Sequence, residues 1–151
     1  MKNRMIIKNG KVIFPDKIEE NHSVVCENGK IVDILPDEDI SIDENDLVID
    51  AKNKYVAPGF IDIHTHGGGG HDFMDGTVEA YLGAAETHAR YGTTALLPTT
   101  LTSTVEELLQ TFSIYKEAVS RNSKGAKFLG LHLEGPYFSY NQRGAQDPKY
   151  L

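Results

Sequence analysis

The sequence predicts an α/β chain in two parts, an antiparallel β portion followed by the opening units of a parallel strand-and-helix array. Three observations predict it. Asn-Gly pairs at Asn9-Gly10 and Asn28-Gly29 sit inside apolar runs, and Asn-Gly supplies the positive φ angles of a type I′ hairpin turn. From Pro58-Gly59 onward the pattern changes to strand, helix, strand, helix, strand, the order expected of parallel α/β structure. About 95 residues then remain against the roughly 250 of a (β/α)8 TIM-type barrel, so such a barrel is expected to be incomplete, limited to its first three strands and two helices. The expected boundary lies between residues 57 and 58.

In the first part, "RMIIKNGKVI" and "SVVCENGKIVDIL" each read as two short strands around an Asn-Gly turn, and "LVID" (Leu47 to Asp50) as a further strand after the acidic loop "PDEDISIDEND". Together they suggest a small antiparallel sheet. In the second part, "FIDIHTH" is a strand and "TVEAYLGAAETHARYG" a helix. Thr77 is its expected N-cap, Val78, Leu82, Ala85 and Ala89 its apolar stripe, and Gly92 its C′ glycine. "TTALLP" follows as a buried strand. "STVEELLQTFSIYKEAVSR" is a second helix, with Ser103 and Glu106 as a capping box and a stripe at Leu108, Phe112, Tyr115 and Val119. "AKFLGLHLE" is a third strand ending at Glu134. A parallel sheet normally has both faces covered, and no helix follows this strand.

Composition excludes several classes. The chain has 151 residues, with 15 Lys and Arg against 22 Asp and Glu, a net charge of −7. No basic cluster offers a nucleic-acid face. Cys26 is the single cysteine, so there is no disulfide framework, and a reducing compartment is expected. The N-terminus has no apolar run long enough for a signal peptide or membrane span. A soluble cytoplasmic protein, without membrane or nucleic-acid partners, is the expectation.

The chemistry concentrates in "GFIDIHTHGGGGHDF" and "LHLEGP". Alternation along a strand turns Asp62, His64 and His66 to one side. Two imidazoles at that spacing, at a strand's C-terminal end, can hold one metal ion, and four glycines after them let the backbone turn sharply beside open space. The bland alternative is a pair of polar strand-end histidines; "PGFID" before them and the glycine loop after them favour the metal. On the third strand, His132 and Glu134 share a face, and Glu134 is delivered to the strand end where barrel enzymes gather their sites. A His, His, Glu set leaving one position for water is the catalytic pattern for zinc-like ions, which lower the pKa of bound water and polarise a carbonyl. The alternative for Glu134 is a solvated carboxylate. His132 is expected to hydrogen-bond around the site and not to ligate. Asp62 either orients His64 or binds backbone. His71 and Asp72 are expected to be structural, His88 a half-buried helix residue, and His22 carries no signal. "GGGG" lacks the phosphate-loop pattern.

"APGFIDIHTHG" resembles the opening barrel strand of the amidohydrolase superfamily, metal-dependent hydrolases on a (β/α)8 barrel. "GLHLEGPYFS" with "RGAQDP" narrows the resemblance to the N-acetylglucosamine-6-phosphate deacetylase family, and it runs from the first hairpin to the last residue. That resemblance implies that His64 and His66 hold a second metal found in some members and that Glu134 is the ligand common to all of them. It places Ala145 and Gln146 where the family contacts the sugar phosphate. The early strands correspond to part of a small β-sandwich domain. Two further metal histidines, the catalytic aspartate and most phosphate-binding residues are expected beyond Leu151, so no catalytic residue is assigned within the chain. The reaction implied is attack of metal-bound hydroxide on the acetamide, releasing acetate and glucosamine 6-phosphate in amino-sugar catabolism. The cofactor would be a divalent metal ion, zinc first and iron or manganese next, the partner a small amino-sugar phosphate, and the complete protein a homodimer. This chain is expected to be an N-terminal portion, inactive by itself. The alternatives are a cyclic-amide hydrolase of the same superfamily, or a non-catalytic metal-binding truncation.

Overall fold

The computed structural model describes residues 4–151, which divide into two compact units at Pro58 and Gly59. In the first unit, β1 (Arg4–Ile13) is the central strand. It pairs antiparallel with β2 (Ile18–Glu27), which pairs antiparallel with β3 (Lys30–Pro36). On its other edge β1 pairs with β4 (Leu47–Asp50) and then β5 (Tyr55–Val56), both parallel to it. The sheet is therefore mixed, not antiparallel throughout as the hairpin pattern suggested. Ile6, Val12, Val24 and Val25 are its buried apolar residues, with Ile6 and Val25 paired on one face and Val24 on the other.

The two Asn-Gly pairs take different courses. Asn28 and Gly29 both adopt positive φ, 52° and 76°, and close the hairpin from β2 to β3 as expected. At Asn9-Gly10 only Asn9 has positive φ, 56°, and β1 continues through it with a shift of register. The predicted hairpin is instead a bulge. It is held by partners far along the chain: Asp37 Oδ1 accepts from Asn9 N at 3.2 Å and Asp50 Oδ1 from Asn9 Nδ2 at 2.9 Å. Gly10 lies so close to β5 that a Cβ there would meet Val56 Cγ2 at 2.7 Å.

The second unit is a three-stranded parallel sheet with two helices. Its order is β10-β9-β6, from β6 (Phe60–Thr65), β9 (Thr93–Pro98) and β10 (Lys127–Phe128). Between β6 and the first helix, β7 (Gly67–Gly68) and β8 (His71–Asp72) make a minimal hairpin. Helix α1 (Val78–Arg90) starts as predicted, with Thr77 Oγ1 accepting from Ala80 N at 3.2 Å, and Gly92 takes positive φ after it. Its buried residues are Val78, Ala80, Tyr81, Ala84 and Ala85; of the expected stripe Val78 and Ala85 are buried and Leu82 packs partly buried against the core, while Tyr81 and Ala84 are the buried positions it lacked.

Helix α2 (Val105–Arg121) begins one residue later than the expected capping box. Thr104 Oγ1 accepts from Glu107 N, while Ser103 bonds the Glu107 carboxylate. Thr111 and Ala118 are its buried positions; Phe112 and Val119 of the expected stripe are exposed. The third strand is also shorter than expected. Pairing lapses at Gly130 and Leu131, where a glycine inside a strand weakens it, and resumes as a single bridge between Thr99 and His132. Phe73, Val78, Tyr81, Ala84, Ala85, Leu96, Ala118, Ala126 and Phe128 form the core of this unit. Among the described residues no helix is long and apolar enough to cross a membrane.

Candidate metal centre

Strand alternation and a shared sheet edge bring the predicted residues together. His64 lies near the C-terminal end of β6 and His66 just past it, their Nε2 atoms 3.4 Å apart. Glu134 arrives from the segment after β10. Its Oε2 is 3.1 Å from His64 Nε2 and 3.0 Å from His66 Nε2. These three side chains offer one ligand atom each, all within 4.8 Å of one another. Glu134 Oε2 is buried, yet neither imidazole approaches it in a direction that makes a hydrogen bond. Three potential ligand atoms converge here, with the Glu134 oxygen left without a hydrogen bond; a cation satisfies such an arrangement, and His, His, carboxylate is a donor set suited to zinc-like ions. The residues present therefore fit a divalent metal.

The surroundings hold these groups in place. Asp62 Oδ1 accepts from the His64 backbone N–H at 3.1 Å, so its carboxylate binds the strand itself. His132 does not join the cluster: its Nδ1 is 3.0 Å from the Ile63 carbonyl, which can only accept, so Nδ1 carries the proton. The His132 ring lies edge-on to His64 at 4.5 Å between centroids. Thr99 Oγ1 accepts from Thr65 N at 3.1 Å, and Thr100 Oγ1 from Glu134 N at 3.3 Å, so the middle strand secures both flanks.

The glycine loop is packed, not merely open. A Cβ on Gly67 would meet the His71 carbonyl at 2.0 Å, and one on Gly69 would meet Thr87 Oγ1 at 2.1 Å. His88 Nε2 donates to the Gly67 carbonyl at 3.0 Å, which ties the loop to α1. Sequence reasoning gave His88 no such part, and nothing in its helical spacing signals it. His71 packs its ring against Gly83, and Asp72 Oδ1 accepts from Met74 N at 2.8 Å, both structural contacts.

Ala145 is exposed, whereas Gln146 is 6% exposed and its carboxamide bonds at both ends. The oxygen accepts from Thr102 N at 2.9 Å and Thr102 Oγ1 at 2.8 Å, and Nε2 donates to Glu134 Oε1 at 2.9 Å. No sequence signal marks Thr102.

Known proteins resemble this chain in sequence and in fold. Residues 47–111 match the amidohydrolase family, a span that includes both histidines. Within that class the likeness is to sugar-phosphate deacetylases. The chain is 34% identical to the N-acetylglucosamine-6-phosphate deacetylase of Danio rerio over 89% of its own length and 35% of the relative's. It is 32% identical to the N-acetylgalactosamine-6-phosphate deacetylase of Escherichia coli O157:H7, over 86% of this chain and 33% of that one. The crystal structure of N-acetylglucosamine-6-phosphate deacetylase from Pasteurella multocida superposes with a TM-score of 0.85 at 32% identity, covering 97% of this chain and 38% of the other. The chain thus spans about a third of the length of the curated relatives it matches.

Proposed function

We propose that this chain is the N-terminal portion of a metal-dependent deacetylase whose substrate is N-acetylglucosamine 6-phosphate. In this reading residues 59–151 are the opening β/α units of a (β/α)8 barrel, and the preceding residues are part of a β-sandwich domain. The observation that carries it is the convergence of His64 Nε2, His66 Nε2 and Glu134 Oε2 at one end of a parallel sheet. A divalent ion bound there, zinc first, supplies Lewis acidity toward an amide carbonyl and toward water. The chain's own residues do the rest of what is assigned here. The two imidazoles and Glu134 hold the ion. Asp62, Thr99 and Thr100 fix the backbone that carries them. Ala145 and Gln146 are proposed to meet the sugar phosphate, through main-chain groups, since the Gln146 carboxamide already bonds Thr102 and Glu134. The acid–base aspartate, further ligands, a homodimer contact and a cytoplasmic setting belong to the longer protein, as the family resemblance suggests.

The relative from Escherichia coli O157:H7 supports a second substrate, the galactosamine epimer. The test has two arms. Zinc titration of the 151-residue chain should show binding that is lost when His64 and His66 are both changed to Ala. Acetate release from the two epimers should be measured with this chain and with a protein extended to the length of its relatives. Activity is expected only in the extended protein, with N-acetylglucosamine 6-phosphate preferred. Zinc affinity unchanged in the double variant would place the metal elsewhere, and an extended protein inactive on both sugars would refute the deacetylase reading.

A further inference from the structure

We propose that Gln146 is a positioning residue that selects which oxygen of Glu134 faces the two histidines. The inference rests on the metal reading and adds to it. Gln146 is the one buried residue of 136–151. Its amide orientation is not free, because Thr102 presents a backbone N–H, which can only donate, to the carboxamide oxygen at 2.9 Å. The Thr102 hydroxyl gives that oxygen a second donor at 2.8 Å. The amide nitrogen must then point the other way, and it reaches Glu134 Oε1 at 2.9 Å.

A free glutamate carboxylate turns about its last torsion with broad preference. Here Oε1 is held, so Oε2 is left as the oxygen 3.0 and 3.1 Å from the imidazoles, with no hydrogen bond of its own. Gly135 allows this close approach: its φ is +89°, and a Cβ there would lie 2.2 Å from Thr102 Cγ2. Thr102, Gln146 and Glu134 thus form one chain of contacts, from the loop between β9 and α2 to the ligand oxygen.

The test titrates the metal-free chain with zinc against a chromophoric chelator and records the visible spectrum of bound cobalt(II). Gln146→Met keeps the side-chain length and removes both hydrogen-bonding groups. It should weaken zinc by about 10–100-fold, the usual cost of losing a group that hydrogen-bonds a ligand, and alter the cobalt bands. Thr102→Val should act in the same direction and less strongly. The double variant should bind no more weakly than Gln146→Met, because Thr102 acts through Gln146. If Gln146→Met fails to fold by circular dichroism, Thr102→Val carries the test by itself. Unchanged affinity and unchanged cobalt bands, beside lost binding in Glu134→Ala, would overturn the positioning role and leave the metal reading standing. Zinc binding that survives Glu134→Ala would overturn both.

Discussion

Tyr81 carries a hydroxyl into the interior of residues 59–151. Its side chain is fully buried, with the ring 4.9 Å from Phe73 and 6.0 Å from Phe128 between centroids. Burial first, then Tyr115 and Asp72, push its ionisation well above the usual phenol range. The hydroxyl finds no hydrogen-bond partner among the described protein atoms. Burying such a group unpaired costs about 1–3 kcal/mol, so the ring, not the hydroxyl, is what this site uses. Tyr81→Phe should therefore leave stability unchanged or raise it by up to about 1 kcal/mol. Urea unfolding with an unchanged slope would read this directly. A loss above about 1 kcal/mol would show that the hydroxyl makes a bond the core depends on.

At the scale of elements, the start of α2 separates two adjacent residues by role. Thr104 accepts from the Glu107 backbone N–H, whereas Ser103 bonds only the Glu107 side chain. Thr104→Ala should cost about 1 kcal/mol, the usual worth of an N-cap, and Ser103→Ala distinctly less; thermal unfolding of the two variants decides. Elements whose signals are local could be read from the sequence. Thr77 and Gly92 delimit α1 within a few residues of themselves, and Asn28-Gly29 needs only its own φ angles. Asn9-Gly10 misled because its use is fixed by Asp37 and Asp50, which lie far along the chain. The same division holds at the site. Strand alternation and a glutamate beside a Gly-Pro point to His64, His66 and Glu134 as neighbours, and the three do converge. The contacts of His88, Thr102 and Gln146 exist only once a helix and two loops have folded back on the sheet.

Across the molecule as a whole, acidic residues outnumber basic ones, and part of the balance is local. Arg121 on α2 reaches Glu79 on α1 at 3.0 Å. The Glu79 carboxyl is held below its ordinary value of 4.5, first by its own backbone N–H and then by Arg121. A carboxyl depressed in the folded state contributes stability that is present above the unfolded value and lost as pH falls through the folded one. The melting temperature should therefore decline below about pH 4.5, and Glu79→Gln should flatten that decline. Both groups are largely exposed, so the difference should shrink in high salt. A variant that follows the wild-type profile at low salt would remove Glu79 from the account.

The order β10-β9-β6 also acts as a ruler. Adjacent strands are spaced about 4.8 Å apart, so the chain bearing Glu134 and the one bearing the histidines are separated by roughly 10 Å, with β9 between them. Two side chains must bridge that width, and imidazole plus a three-carbon acid does so with 3.0 and 3.1 Å remaining. An aspartate is one methylene shorter, and the segment that carries it is tied to the residues after β9 by the Thr99–His132 bridge and the Glu134 N–H to Thr100 Oγ1 bond, which oppose a shift toward β6. Glu134→Asp, although it keeps the charge and the donor atom, should thus lose zinc affinity nearly as fully as Glu134→Ala in the same titration. Affinity retained by the aspartate variant would mean that the segment after β10 slides toward β6, and that the gap is elastic.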